Sequence, residues 1–167
     1  MQNTPKGLRL QIGIFGRRNA GKSSLLNALA RQDVAIVSET PGTTADPVEK
    51  AMEMLPLGPV LLIDTAGLDD DAALIGGVRV EKSRKIFERA DIALIVSDAS
   101  WGAFEEKLLS DFAERGTAVI AVFNKTDVAF PPQNVLDSLR ERSVSFVMVS
   151  AGKGEGLGEL REMILRK

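Results

Sequence analysis

The chain of 167 residues contains no cysteine and no histidine. Within it, disulfides, zinc fingers, thiol nucleophiles, cysteine-ligated iron–sulfur clusters and imidazole general bases are therefore excluded. No apolar run approaches the ~20 residues of a membrane span. The opening stretch, Met1-Gln-Asn-Thr-Pro-Lys-Gly7, has no apolar segment of the kind a secretion signal carries, so a cytoplasmic location is expected. An excess of positive charge is missing as well. The 21 Lys and Arg face 23 Asp and Glu, a formal charge of -2, which gives no electrostatic case for nucleic acid or an anionic membrane as main partner. What remains is an ordinary apolar share of 44% and a length suited to one domain with a real core.

Against that background one stretch stands out, Gly16 to Ser24, read GRRNAGKSS. It fits G-x-x-x-x-G-K-S/T, with Gly16, Gly21, Lys22 and Ser23 at the fixed positions. An apolar run, Leu8 to Phe15, precedes it, and the helix-like Ser24-Leu-Leu-Asn-Ala-Leu-Ala30 follows. A phosphate-binding loop requires this strand–loop–helix context. Glycines let the backbone curl so that N–H groups point inward, and the following helix adds its positive end. Lys22 then reaches the β- and γ-phosphates, and the Ser23 hydroxyl suits Mg²⁺.

The rest of the chain alternates between strands and helices. Residues 1–7 read as a flexible leader and 8–167 as one domain. Residues 32–47 lose helical periodicity and end in Thr40-Pro-Gly-Thr-Thr-Ala-Asp-Pro47, which is loop chemistry. Val48 to Leu55 alternates, Pro56-Leu-Gly-Pro59 reads as a turn, and Val60 to Ile63 is fully apolar, so an antiparallel hairpin is predicted. Residues 68–77 are acidic and glycine-containing, and Val78 to Ala90 reads as a charged helix. Three further strands, Ile92–Val96, Thr117–Phe123 and Val144–Val149, alternate with helices over Gly102–Arg115, from Pro131 onward, and over Glu155–Arg166. The expected fold is α/β: three layers around a six-stranded, mostly parallel sheet with one antiparallel strand.

Every polar signature follows an apolar strand: 16–24, Asp64-Thr-Ala-Gly67, Asn124-Lys-Thr-Asp127 and Ser150-Ala-Gly152. In open α/β sheets that edge is where ligands bind. Together with Pro41-Gly-Thr-Thr44, these signatures make the chain resemble a P-loop GTPase domain of the Era/TrmE-like type. A narrower resemblance is to the N-terminal GTPase domain of the FeFe-hydrogenase maturation family HydF. It rests on residues 45–59, on Leu61-Leu-Ile-Asp-Thr-Ala-Gly-Leu68 and on Arg79-Val-Glu-Lys82. It covers nearly all of residues 7–166 but only the first domain of that family's proteins, so an isolated N-terminal domain of a longer protein is expected.

The resemblance implies a site for GTP or GDP with Mg²⁺ and K⁺. Gly16, Arg17, Arg18, Asn19, Ala20, Gly21, Lys22, Ser23 and Ser24 would hold the phosphates. Ser23 and Thr44, beside Thr43, would ligate Mg²⁺, with Asp64 reaching it through a water. The Gly67 N–H would sense the γ-phosphate, and its loss would release segments 38–46 and 66–77. Asp127 is acceptor-only and matches the paired donors of guanine, which adenine lacks. Asn124 and Lys125 would brace that loop, and the backbone of Ser150, Ala151 and Gly152 would meet the guanine O6. Gly152 stands where the family commonly has Lys, and Ala45 where it usually has Arg. Leu68 replaces the Gln that orients water in many regulatory GTPases, so turnover is expected to be slow. Lys22, Asn19, Thr44 and Gly67 would then carry hydrolysis, with K⁺ held by Asn19 supplying positive charge.

The implied partners are the hydrogenase and the radical-SAM maturases, reached through the longer protein, and a homodimer through the switch face. Two other readings share the nucleotide signatures: an Era-like module for RNA, ribosome or tRNA modification, and a binding-only nucleotide module.

Overall fold

The computed structural model describes residues 9–32, 36–40, 48–64 and 85–167, with backbone alone at 32, 36–40 and 48. The expected leader, the Pro41–Pro47 loop, the acidic stretch 68–77 and the first part of the Val78–Ala90 helix lie outside these residues.

The elements run β1 (Leu10–Gly16), α1 (Lys22–Gln32), β2 (Ile36–Thr40), β3 (Val48–Met54), β4 (Gly58–Asp64), the helical residues 85–89 (α2), β5 (Ile92–Ser97), α3 (Ala103–Arg115), β6 (Ala118–Phe123), α4 (Gln133–Glu141), β7 (Ser145–Met148) and α5 (Leu157–Leu165). The strands form one sheet in the order β2-β3-β4-β1-β5-β6-β7. Among the described strands only β3 runs against its neighbours, β2 and β4; the other pairs are parallel.

The α/β architecture and the β3–β4 hairpin follow the sequence reading. The stretch 32–47, read as loop, also contains β2, so the described residues hold seven strands where six were expected. Among the described residues β2 pairs only with β3, with a register shift between Ile36 and Ser38. A five-residue edge strand with a single partner carries too short a pattern to read. The first helix begins earlier than expected, at Lys22, so Lys22, Ser23 and Ser24 form its first turn. The last helix begins later, at Leu157, because Gly156 adopts φ 77, and a Cβ there would fall 2.2 Å from the Met148 carbonyl oxygen.

Successive residues of the central strands face opposite ways, which splits the core in two. Ile12, Ile14, Leu62, Leu94 and Val122 pack under α1 and α5 with Leu25, Leu29, Leu160 and Ile164. Phe15, Leu61, Ile63, Ile95 and Phe123 pack under α2, α3 and α4 with Ile86, Phe112 and Leu139. Both faces are covered, so the central strands are mostly apolar. Phe112 anchors the second face, stacked on Phe87 at 4.1 Å and edge-on to Phe15 at 4.9 Å.

The register lines up the strand ends that matter. Ile14 pairs with Asp64, Gly16 with Val96, Ser97 with Phe123, and Phe123 with Met148. The carboxyl ends of five strands therefore share one edge of the sheet.

Candidate functional site

The loop after β1 is shaped by contacts with other strands. A Cβ on Gly16 (φ 154) would lie 2.2 Å from the Val96 carbonyl oxygen, and one on Gly21 (φ 94) 2.2 Å from Asn124 Nδ2. No side chain fits either place. Asn19 takes a left-handed conformation, φ 66, which asparagine tolerates better than most residues. The Ala20 N–H donates to the Arg17 carbonyl at 3.2 Å, closing the turn.

Two buried charged side chains meet this loop. Lys22 is only 4% exposed, and its Nζ donates to the Gly16 carbonyl, so it lies back over the loop it follows. Asp64, at the end of β4 and 1% exposed, accepts from Ser23 Oγ at 2.6 Å. The short distance is that of a hydroxyl on a carboxylate.

Further along the edge, the loops after β6 and β7 interlock with the first. Asn124 is 2% exposed; its Nδ2 donates to the Ala20 carbonyl at 3.0 Å, while its Oδ1 accepts from the Ala151 N–H at 3.0 Å. One side chain thus joins three loops. Lys125 (φ 60) donates from Nζ to the Asn19 carbonyl. Thr126 donates to the Val149 carbonyl from both its N–H, at 3.2 Å, and its hydroxyl, at 2.9 Å. Ser150 Oγ donates to Asp127 Oδ1 at 2.8 Å. Ser150 and Glu155 exchange two backbone bonds, at 3.0 and 3.1 Å, which fold 150–155 into a tight loop. Gly152 in that loop is exposed, with nothing within 4 Å of a would-be Cβ; this position does not demand glycine.

The structure therefore brings together Gly16–Ser24, Asp64, Asn124–Asp127 and Ser150–Gly152. Thr43, Thr44 and Gly67, with Ala45 and Leu68, lie outside the described residues, as do most of segments 38–46 and 66–77. Within the first loop, the Arg18 and Ser24 side chains are exposed, and Arg17 turns its guanidinium to α3. There its Nε lies 3.0 Å from Glu105 Oε1 and its Nη2 donates to Glu105 Oε2 at 3.1 Å. Sequence reasoning missed Glu105. Its one local signal is its place three residues after Gly102, the capping-box spacing, and its carboxylate does accept from the Gly102 N–H at 2.8 Å. The next residue, Glu106, faces α4 instead. Arg142 grips both its oxygens, at 2.7 and 2.9 Å, and the Trp101 indole N–H donates at 2.8 Å. Those bonds, Arg142 first, hold the Glu106 carboxyl below the usual carboxylate range against the opposing effect of burial.

A family model described as 50S ribosome-binding GTPase matches residues 11–125, from β1 to the second residue of the Asn124–Asp127 motif. The chain belongs to this GTPase family. As a P-loop GTPase domain, it has relatives among the tRNA modification GTPases MnmE. It is 42% identical to the one from Heliobacterium modesticaldum over 159 residues, 92% of this chain and 33% of that protein. It is 38% identical to the one from Cyanothece sp. over 163 residues, 95% of this chain and 34% of that protein. The GTPase domain thus spans about a third of the length of the curated relatives it matches. Among solved structures it resembles a variant of Aquifex aeolicus Era bound to GDP.AlF4- (TM-score 0.73, 31% identity, 93% of this chain and 56% of that one). The G domain of the T. maritima FeoB iron transporter shares the fold (TM-score 0.70, 24% identity, 95% of this chain and 98% of that one). No helix among the described residues is long and apolar enough to cross a membrane.

Proposed function

We propose that this chain binds GTP with Mg²⁺ across the sheet edge and hydrolyses it slowly, as the switch domain of a tRNA-modification system. The observation that carries the nucleotide reading is the Asn124 bridge. A single buried amide ties the glycine-rich loop to the Asp127–Ser150 loop pair, so a phosphate cradle and a base selector are built at fixed separation.

In this reading, the backbone from Gly16 to Ser24 and the Lys22 ammonium take the phosphates. The Asp127 carboxylate takes the two guanine donors, and the backbone at Ser150, Ala151 and Gly152 takes the O6. Ser23 and Asp64 fit Mg²⁺, since they are hard oxygen donors already side by side, and this ion favours one or two protein ligands plus phosphate oxygens. Thr44 would complete the set. Bound Mg²⁺ supplies charge neutralisation at the phosphates. Lys22 holds the transferred group in place, Gly67 senses it, and water enters without help from Leu68. Asn19 and K⁺ would stand in for the cationic side chain that speeds many GTPases, worth ~10³–10⁵ in rate.

Calorimetry tests the core of this: GDP binds and ADP does not, and equal binding of the two ends the reading. Single-turnover GTP hydrolysis in KCl against NaCl tests the rest. Loss of rate in NaCl and in Asn19→Ala supports the K⁺ role, and equal rates remove it. No turnover at all leaves a binding-only module.

The tRNA-modification assignment is supported by relatives at 38–42% identity across more than nine-tenths of the chain. A second reading, hydrogenase maturation, draws on the HydF-like residues 45–59, 61–68 and 79–82. Grafting residues 8–167 in place of a relative's own GTPase domain separates them. Restored tRNA modification supports the first, and failure of a folded, GTP-hydrolysing graft favours the second. Sedimentation of the isolated domain with GDP and AlF4- in KCl tests whether a homodimer forms through the switch face.

A further inference from the structure

Glu105 is a buried carboxylate that the proposed reaction does not use. It is 1% exposed, while its partner Arg17 remains 46% exposed on the side chain. A carboxylate taken so far out of water must be compensated by strong donors. Glu105 has two, the Arg17 Nη2–H and the Gly102 N–H, and Arg17 Nε lies 3.0 Å from its other oxygen as an ion pair.

We propose that Glu105 is a positioning residue for phosphate binding, acting through Arg17 to fix the entry of the glycine-rich loop against the first turn of α3. The proposal rests on the GTP reading above and adds a residue outside the nucleotide motifs. Its ground is leverage. Arg17 follows Gly16, whose carbonyl receives Lys22 Nζ, and its own carbonyl receives the Ala20 N–H. A shift of Arg17 therefore moves both the acceptor that holds Lys22 and the turn whose N–H groups face the phosphates. The fork joins residues 88 apart in sequence. Its seat is made to measure. A Cβ on Gly102 would come within 3.0 Å of Arg17 Nη2, and the Phe104 ring lies 5.8 Å from the guanidinium carbon. Bidentate pairing of this kind fixes direction as well as distance, which a lysine cannot do.

A role confined to capping α3 makes a different forecast. Glu105→Gln keeps an oxygen for the Gly102 N–H but loses the charge and one acceptor of the fork, so a cap alone would survive it. The test measures GDP affinity by calorimetry and apo melting temperature for Glu105→Gln, Arg17→Met, the double variant and Arg17→Lys. Arg142→Ala serves as control, because it loosens the same turn of α3 from the far side through Glu106. The proposal expects GDP to bind about tenfold more weakly to each single variant. It also expects the double variant to be no weaker than the worse single, Arg17→Lys to be intermediate, and the control to match wild type. GDP affinity within twofold of wild type in Glu105→Gln and Arg17→Met, with only melting lowered, overturns it. So do losses that add in the double variant, or an equal loss in the control. A wild-type chain that binds no GDP removes the GTP reading and this proposal with it; normal wild-type binding with unaffected variants removes this proposal alone.

Discussion

The two ends of the site are built by opposite means. At the β6–β7 end, the buried frame is neutral: a carboxamide, a threonine and a serine hydroxyl and backbone groups hold one another, while the charged groups, the Lys125 ammonium on the Asn19 carbonyl and the Asp127 carboxylate, lie exposed at its surface. At the β1–β4 end, the charges themselves are buried. Lys22 and Asp64 both lie inside and take the Gly16 carbonyl and the Ser23 hydroxyl as partners. A neutral, saturated frame costs little to bury and gives a fixed position, which is what discrimination between two flat bases needs. Buried charges are expensive, but in a low-dielectric setting they act strongly on a polyanion. On the proposed reading the contrast would put selectivity at one end and binding strength at the other, and it is open to attack from either side.

The largest effect is expected at Asp127. Asp127→Asn is nearly isosteric and keeps an oxygen for Ser150 Oγ, so the frame should stand. The new amide, however, turns a donor toward the donors of guanine. The preference for GDP over ADP should fall by ~10³ or more, since sites built on paired hydrogen bonds discriminate to about that degree. Competition calorimetry measures it. An unchanged preference would mean that the base is chosen elsewhere, and the division of labour between the two ends would fail.

Next in size is Asn124→Ala, which attacks the frame itself. It orphans the Ala20 carbonyl and the Ala151 N–H, both on buried residues. Each such group costs ~1–3 kcal/mol, so a loss of about 2–4 kcal/mol is expected by urea unfolding without nucleotide. A loss below ~1 kcal/mol would show that the frame is not saturated in solution. Ser150→Ala should cost less, about 1 kcal/mol, and should weaken GDP binding without abolishing the choice of base, because Asp127 remains to make it. Should it erase the choice, the serine and not the carboxylate carries selectivity.

How far such an arrangement shows in sequence depends on the range of the interaction. Strand-to-helix alternation is local, so the α/β fold and the placing of each motif after a strand were readable. Gly16 and Gly21 could be read as turn residues, but not the reason each is required. That reason is a carbonyl on β5 for Gly16 and an amide about a hundred residues on for Gly21. The partners of Asn124 and Lys125 lie 104 and 106 residues back along the chain, and pairing at that range leaves no periodic trace. Glu105 was invisible for the same reason: an acidic residue in the first turn of a helix looks like a response to the helix dipole. β2 was lost for a different one, its brevity.

The smallest effect sets two adjacent carboxylates side by side. Glu105 is buried against Arg17, whereas Glu106, one residue on, is 42% exposed in its pair with Arg142. Arg142 and Trp101 lower the Glu106 carboxyl from its ordinary 4.5. A group depressed by folding adds stability that is fully present above its unfolded value and fades as pH falls through the folded one. Wild type should therefore exceed Arg142→Ala in stability at neutral pH, and the gap should close as pH drops below about 4.5. With this much exposure the gap should stay under ~1 kcal/mol and shrink further in salt. Urea unfolding of both proteins at two pH values, with and without added salt, reads it. A gap that persists at low pH, or exceeds the loss in Glu105→Gln, would mean that α3 is held chiefly from the α4 side, and that the buried carboxylate is not what ties this helix to the loop.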